Sequence, residues 1–157
     1  MKTRWERIEQ ILFVLYLLLM LWLLFGQRAG AIVWDEYAQS LKENCNLIPF
    51  RTIESYLRLV ASASSLALRR HAFINLAGNV IMFLPLGFFL PALWSSQRRL
   101  PTLLLTVTVV IVCVEILQLV SLLGSGDVDD LILNLLGAAF GWLIFRLTAR
   151  WRESGDK

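Results

Sequence analysis

The sequence predicts an all-α, polytopic membrane protein. It should have four transmembrane helices, with an interfacial helix or re-entrant loop between the first and second. Three observations lead there. Hydrophobic residues make up 57% of the 157 and mean hydropathy is +0.64, above the roughly half-apolar composition of soluble domains. The apolar residues gather into four long runs. The Lys and Arg residues, which leave a net charge of +3, stand mostly at the ends of those runs and form no stripe. That placement serves topology and contact with anionic lipid, and it argues against a nucleic-acid partner.

At about 1.5 Å per residue, ~20 residues cross a hydrocarbon core of ~30 Å. The first run, ILFVLYLLLMLWLLF at Ile11–Phe25, extends to a span over about residues 8–25. The others cover about 72–94, 101–123 and 130–148. The second and third suffice outright. The first and fourth are shorter, with Trp5, Trp142 and Trp151 placed for the interfaces. Residues 1–157 read as one membrane domain. Lys2, Arg4 and Arg7 before the first run, with Ala29-Gly30-Ala31 after it, also resemble a secretory signal peptide. An uncleaved span is preferred, because 15 apolar residues are already at the long limit and include Tyr16 and Trp22.

Orientation follows from the basic residues. With both termini in the cytoplasm, the inside segments hold nine, namely Lys2, Arg4, Arg7, Arg98, Arg99, Arg146, Arg150, Arg152 and Lys157. The long loop 26–71 holds the other six and the third loop none. The short, charge-dense segments belong inside, which places loop 26–71 outside. Arg69 and Arg70 run against the rule and need a reason.

Loop 26–71 is too long for a plain connector. After Thr52, apolar residues recur at Ile53, Tyr56, Leu57, Val60, Ala63 and Ala67, with Glu54, Arg58, Ser62, Ser65 and Arg69 opposite. This is helical periodicity, with Thr52 as expected N-cap and Glu54 in the first turn. The helix should lie on the outer leaflet or on the bundle. Before it, Pro49 in NLIPFR breaks any continuous helix and makes a short apolar turn, tolerated where protein covers its backbone.

Polar residues within the spans are the candidates for function. Asn75 and Asn79 are spaced i,i+4, Glu115 and Gln118 i,i+3, and Asn134 lies one turn beyond Asp130. Asp127, Asp129 and Asp130 open the fourth span. All converge on the outer half of the bilayer, with Glu115 roughly 12 Å below its helix end, under a loop that carries Arg51. We therefore expect Asn79, Glu115, Gln118, Asp130 and Asn134 to form one hydrogen-bonded cluster, since an unpartnered polar group in lipid is costly. Amides in spans often only link helices, and acids at a helix start often only complement its dipole. A carboxylate inside a span, as at Glu115, is more often functional. Gly137 and Gly141 form a GxxxG pair for close helix contact. Pro85 and Pro91 should kink or end the second span.

The inventory limits the chemistry. Cys45 sits in a polar loop and Cys113 in an apolar run, so no disulfide is expected, and no zinc spacing exists. His71 reads as interfacial, and Ser125 has no base beside it. No cofactor is expected. Oxygen ligands at Asp127, Asp129 and Asp130 would suit a divalent cation, but their spacing matches no metal loop.

Three blocks, NLIPFRTI, NLAGNVIMFLPLGFFLP and EILQLVSLLGSGDVDDLILNLLGAAFG, resemble the signature of the VanZ-like family of bacterial membrane proteins over Asn46–Gly141. The resemblance implies a small protein of the bacterial cytoplasmic membrane, associated with lowered susceptibility to teicoplanin-type lipoglycopeptides. The positions that carry over are Asn46, Pro49, Phe50, Asn75, Asn79, Pro85, Glu115, Gln118, Asp127, Asp130, Asn134 and Gly137. Many relatives place an arginine just before the aspartates, where this chain has Gly124-Ser125-Gly126, so Arg51 or a cation is expected to supply the counter-charge. Two functional classes follow. Binding is preferred: an outer pocket of Arg51, Asn75, Asn79, Glu115, Gln118, Asp127, Asp130 and Asn134 would grip a membrane lipid, a lipid-linked envelope precursor or a lipoglycopeptide. The alternative is a membrane enzyme with Glu115 or Asp130 as acid, base or metal ligand. A third reading has the polar cluster only locking the bundle. Oligomeric state is not legible.

Overall fold

The computed structural model describes residues 4–26, 39, 45–121 and 126–155, with side chains from residue 6 to residue 149. Lys2, Lys157, Ala29-Gly30-Ala31, the Leu122–Leu123 end of the third run and Gly124-Ser125 lie outside it, as do the side chains of Arg4, Trp5, Arg150, Trp151 and Arg152. Helix α1, Arg4–Leu21, continues as one wide π-turn, Trp22–Gly26. After β1, Cys45–Asn46, come α2, Arg51–Ser62, and α3, Leu66–Leu93. A 3₁₀ turn at Ser95–Arg98 leads into α4, Leu100–Val120. Then β2, Gly126–Asp127, opens α5, Val128–Gly155. Helices α1, α3, α4 and α5 are long and apolar enough to cross a membrane, and the chain is a multi-pass membrane protein.

The expected single amphipathic helix over 52–67 is two helices. Backbone at Ala63 turns extended, with ψ at 133°, and α3 starts at Leu66 instead of residue 72. Arg69 gives part of the reason, because its Nε donates to the Ala63 carbonyl at 2.6 Å. A cation at a helix C-terminus satisfies orphan carbonyls and complements the dipole. Arg69 is therefore accounted for by local structure. On α2 the half-buried side holds Ile53, Tyr56, Leu59 and Val60, while Leu57 points outward. Helix α3 runs through Pro85 and stops two residues after Pro91. In the turn before Pro85, the Tyr16 hydroxyl of α1 donates to the Met82 carbonyl at 2.9 Å. Neighbouring helices commonly answer backbone groups near an intramembrane proline.

Helix α4 buries Leu103, Val107, Ile111, Val114 and Gln118, a 4-4-3-4 spacing that keeps one stripe on one face. That stripe meets Phe83, Leu86 and Leu90 of α3, Ala138 of α5, and Met20 and Leu24 from the first span. Phe13 and Tyr16 add ring contacts to Phe89, at 5.9 and 6.3 Å between centroids. At the end where α3 finishes, Trp142 donates to the Arg98 carbonyl at 3.0 Å and the Arg146 guanidinium lies 5.4 Å over the Trp142 ring.

The most extensive packing is between α3 and α5. A Cβ at Gly137 would collide with the Val80 carbonyl, one at Gly141 with the Leu84 carbonyl, and one at Gly87 with the Ala138 carbonyl. Both α5 contacts advance four residues while their α3 partners also advance four, so the two helices run parallel with backbones touching. Without a hydrophobic effect between spans, close van der Waals approach is what holds them, and glycine permits it. Gly78 has open space around it.

Gly137→Val should therefore separate α3 from α5 and cost roughly 1–3 kcal/mol or more. Gly78→Ala should be neutral or slightly stabilising. Thermal melts of both proteins in detergent check this, and equal melting temperatures would remove the glycine seam as a source of stability.

Candidate functional site

Asp129 is the most completely buried acid, with no exposed surface. Its Oδ1 accepts the Phe50 N–H at 2.5 Å, and its Oδ2 accepts the N–H groups of Thr52 and Ile53 at 2.7 and 3.0 Å. These are orphan donors at the start of α2, so the carboxylate caps that helix from a segment almost eighty residues away. Thr52 is not the N-cap. Phe50 holds that position, with φ at 67° in the left-handed region. For a side chain with a Cβ this costs about 1–2 kcal/mol, and the Asp129 bond to its N–H holds the strained turn in place.

A second layer sits on this cap. The Asp127 Oδ1 accepts from Asn46 Nδ2 at 3.1 Å and from the Asp129 N–H at 2.9 Å, and its Oδ2 accepts from the Thr52 hydroxyl at 2.6 Å. Asn46 also reaches Thr52 Oγ1 at 3.0 Å and takes the Ile48 N–H at 3.3 Å. The same two residues face each other in the parallel pair β1–β2, where Cys45 lies opposite Gly126 and Asn46 opposite Asp127. Glu115 of α4 joins by accepting the Asp127 N–H at 3.1 Å.

A third group lies between α2, α3 and α5. Asn79 Nδ2 donates to Asp130 Oδ1 at 2.5 Å. The Tyr56 ring meets His71 edge-on at 6.2 Å. Burial first, and then the charges of Asp130 and Asp127, raise the Tyr56 hydroxyl above its ordinary pKa. Asn75 turns back to its own helix, donating to the His71 carbonyl at 2.9 Å. Asn134 is 4% exposed and its Oδ1 has no hydrogen-bond partner.

The expected cluster is met in part: Glu115 joins the Asp127 layer and Asp130 takes the Asn79 amide, while Asn134 Oδ1 has no hydrogen-bond partner. Gln118 leaves both, donating to the Leu24 carbonyl at 3.0 Å. It is the last member of the buried α4 stripe, so its amide faces the first span and answers a carbonyl in the π-turn. Arg51 lies exposed at the head of α2, beside Glu54 and Arg58, and among the described residues it pairs with none of the three aspartates. The α2 N–H groups provide Asp129 with the complement expected from Arg51. Sequence reasoning weighed Asp129 only as a first-turn acid or a cation ligand, and it placed Tyr56 only on an amphipathic face. The signal for Asp129 was its spacing: it faces away from Asp130 and Asn134. Asp127 and Asp129 meet at Thr52 while Asp130 turns to Asn79, and among the described residues no three His, Cys, Asp or Glu side chains gather as for a metal ion.

Beside the strand pair is a recess of about 220 Å³, almost wholly apolar in its lining. Leu47, Val112, Ile116, Leu119 and Leu131 form its walls, with Glu115 and Asp127 among them.

A family model described as VanZ/LLP1 matches residues 13–149. No curated protein and no solved structure gives a significant match.

Removing the cap should loosen the loop without dissolving the bundle. Asp129→Ala leaves three donors unfilled, each unfilled buried donor costing roughly 1–3 kcal/mol before water replaces it. Hydrogen exchange at the Phe50, Thr52 and Ile53 amides should quicken far more than in α4. Unchanged protection at those amides would show that Asp129 is not the cap that holds α2.

Proposed function

Because the chain belongs to the VanZ/LLP1 family, we propose that it acts in the bacterial cytoplasmic membrane by binding a cell-envelope lipid, or a lipid-linked precursor, and so lowers susceptibility to teicoplanin-type lipoglycopeptides. Both termini face the cytoplasm, and the end bearing Asp127, Asp130 and Glu115 faces outward. The basic residues support that orientation: Arg98 and Arg146 both meet Trp142 at the opposite end. The single observation that carries the binding reading is the apolar recess with a carboxylate in its wall, between a spanning helix and the capped loop. An acyl chain suits the walls, and the adjoining polar layer suits a head group. Glu115 and Asp130 are each held as hydrogen-bond acceptors, by the Asp127 N–H and the Asn79 amide. A carboxylate so oriented favours gripping a ligand over moving a proton, which places binding ahead of acid–base catalysis.

Glu115→Gln and Asp130→Asn keep the shape of each side chain and an oxygen that can accept the same bond. Each should destabilise the protein by no more than about 1 kcal/mol. If the charges grip a ligand, cells expressing either variant at matched levels should lose protection against a lipoglycopeptide. Full protection in both would leave the polar layer as a lock on the bundle.

Orientation has its own test. With Cys113 removed, Cys45 on intact cells should react with an impermeant thiol reagent, and a reporter fused after Lys157 should be cytoplasmic. Labelling only after membrane rupture, with the reporter outside, would reverse the orientation.

A further inference from the structure

Over residues 48–54 every backbone N–H finds an acceptor inside the protein. Ile48 donates to Asn46 Oδ1 at 3.3 Å, Arg51 to the Ile48 carbonyl at 3.4 Å and Glu54 to the Phe50 carbonyl at 2.8 Å. Phe50, Thr52 and Ile53 donate to Asp129, and Pro49 has no N–H to satisfy. A turn at a wet surface meets water, which serves such donors without a sealed carboxylate. A turn in hydrocarbon has no water and must satisfy its backbone from within. The side chains point the same way. Leu47, Ile48 and Phe50 are 75%, 59% and 55% exposed, on the outside of that self-contained backbone.

The depth of this turn follows from α4. Its 21 residues rise about 31 Å, which matches a hydrocarbon core of ~30 Å and sets Val120 near one boundary. A Cβ at Gly126 would meet the Leu119 side chain, so the strand pair, with Cys45 opposite Gly126, lies at that boundary. Leu47, two residues further on, shares the walls of the apolar recess with Val112, Ile116 and Leu119. Those three positions lie roughly 2 to 12 Å below Val120. The turn therefore starts at the depth of acyl chains. Arg51 follows directly, exposed, and among the described residues it joins no ion pair. An arginine beside a lipid-facing turn extends to the interface, where its guanidinium fork suits lipid phosphate.

We infer that the turn 47–50 is a wedge inserted in one leaflet of the bilayer, with Leu47, Ile48 and Phe50 among acyl chains and Arg51 on a phospholipid phosphate. The wedge stands whichever molecule fills the recess and whichever side the polar end faces, so it goes beyond the ligand reading above. It also gives the sealed Asp129 carboxylate a reason: those oxygens replace the water that the Phe50, Thr52 and Ile53 N–H groups lose on insertion. Arg51, which meets none of the aspartates, has its partner outside the chain.

The full-length protein in phospholipid bilayers provides the test. With Cys45 and Cys113 replaced by serine, a spin label is placed at Ile48→Cys or, as a control on α2, at Arg58→Cys, where the side chain is 79% exposed. Both positions are exposed, so neither label enters the packed core. Relaxation by oxygen, which concentrates among acyl chains, is compared with relaxation by a water-soluble nickel chelate. The Ile48→Cys label should respond several-fold more to oxygen than to the chelate, and the Arg58→Cys label the reverse. A chelate response at Ile48→Cys as strong as at Arg58→Cys would place the turn in water and overturn the wedge. A label shielded from both would mean that protein covers the turn, a second copy included, and would overturn the lipid occupant. Arg51 is tested by native mass spectrometry with phosphatidylglycerol and a phosphate-free diacylglycerol glycolipid. One cation near an anionic lipid surface corresponds to about fivefold in affinity. Arg51→Gln should therefore lower phosphatidylglycerol retention about fivefold and leave glycolipid retention unchanged, while Arg51→Lys keeps most of it. Equal loss of both lipids, or no loss of either, would overturn the contact between Arg51 and phosphate.

Discussion

The Asp129 carboxylate, sealed from solvent and facing the start of α2, is the constraint on which the polar end of this protein depends. A buried carboxylate is expensive unless several donors meet it. Here the donors are backbone N–H groups at a helix N-terminus, which carry their own partial positive charge. One interaction thus answers two problems: the orphan donors of α2 and the desolvated charge of α5. It also fixes the loop between the first and second spans to the start of the fourth. The left-handed Phe50, the two-residue strand pair and the Asn46–Thr52–Asp127 bonds all follow from that attachment.

With the loop fixed, two neighbouring aspartates are free to face elsewhere. Asp127 turns to the loop and carries Glu115 with it through its backbone N–H. Asp130 turns to α3 and meets Asn79. The acids that lie together in sequence therefore divide between two surfaces, Asp127 and Asp129 on the loop and the start of α2 and Asp130 on α3, and only Asp129 is fully enclosed. Asp129 holds the start of α2, while Glu115 takes the Asp127 N–H and Asp130 the Asn79 amide.

The glycine seam between α3 and α5 has a second consequence. Backbones brought this close leave little room for side chains, so a polar residue in the seam has few partners. Gln118 and Asn134 show the two outcomes. Gln118 faces the first span and finds the Leu24 carbonyl, which makes it a bundle contact. Asn134 is almost wholly buried and its Oδ1 has no hydrogen-bond partner.

The four spans, the helix in the first loop, the Gly137–Gly141 contact and the family were legible because each depends on local sequence: run length, periodicity, small-residue spacing and contiguous motifs. The polar residues near one end of the spans were legible too, since depth follows from counting residues along a helix. Their partners were not. Asn79 and Asp130 came together as expected, but Gln118 went to the first span, Arg51 to the surface, and the cap on α2 came from Asp129 in place of Thr52. Those bonds join residues 76 to 94 positions apart, and such pairs are set by how helices rotate and approach, which a one-dimensional pattern does not record. The sequence alone determined which helices enter the membrane and which polar groups enter with them. Only the tertiary structure decided which acid is enclosed, because burial of a charge depends on where its donors lie in space.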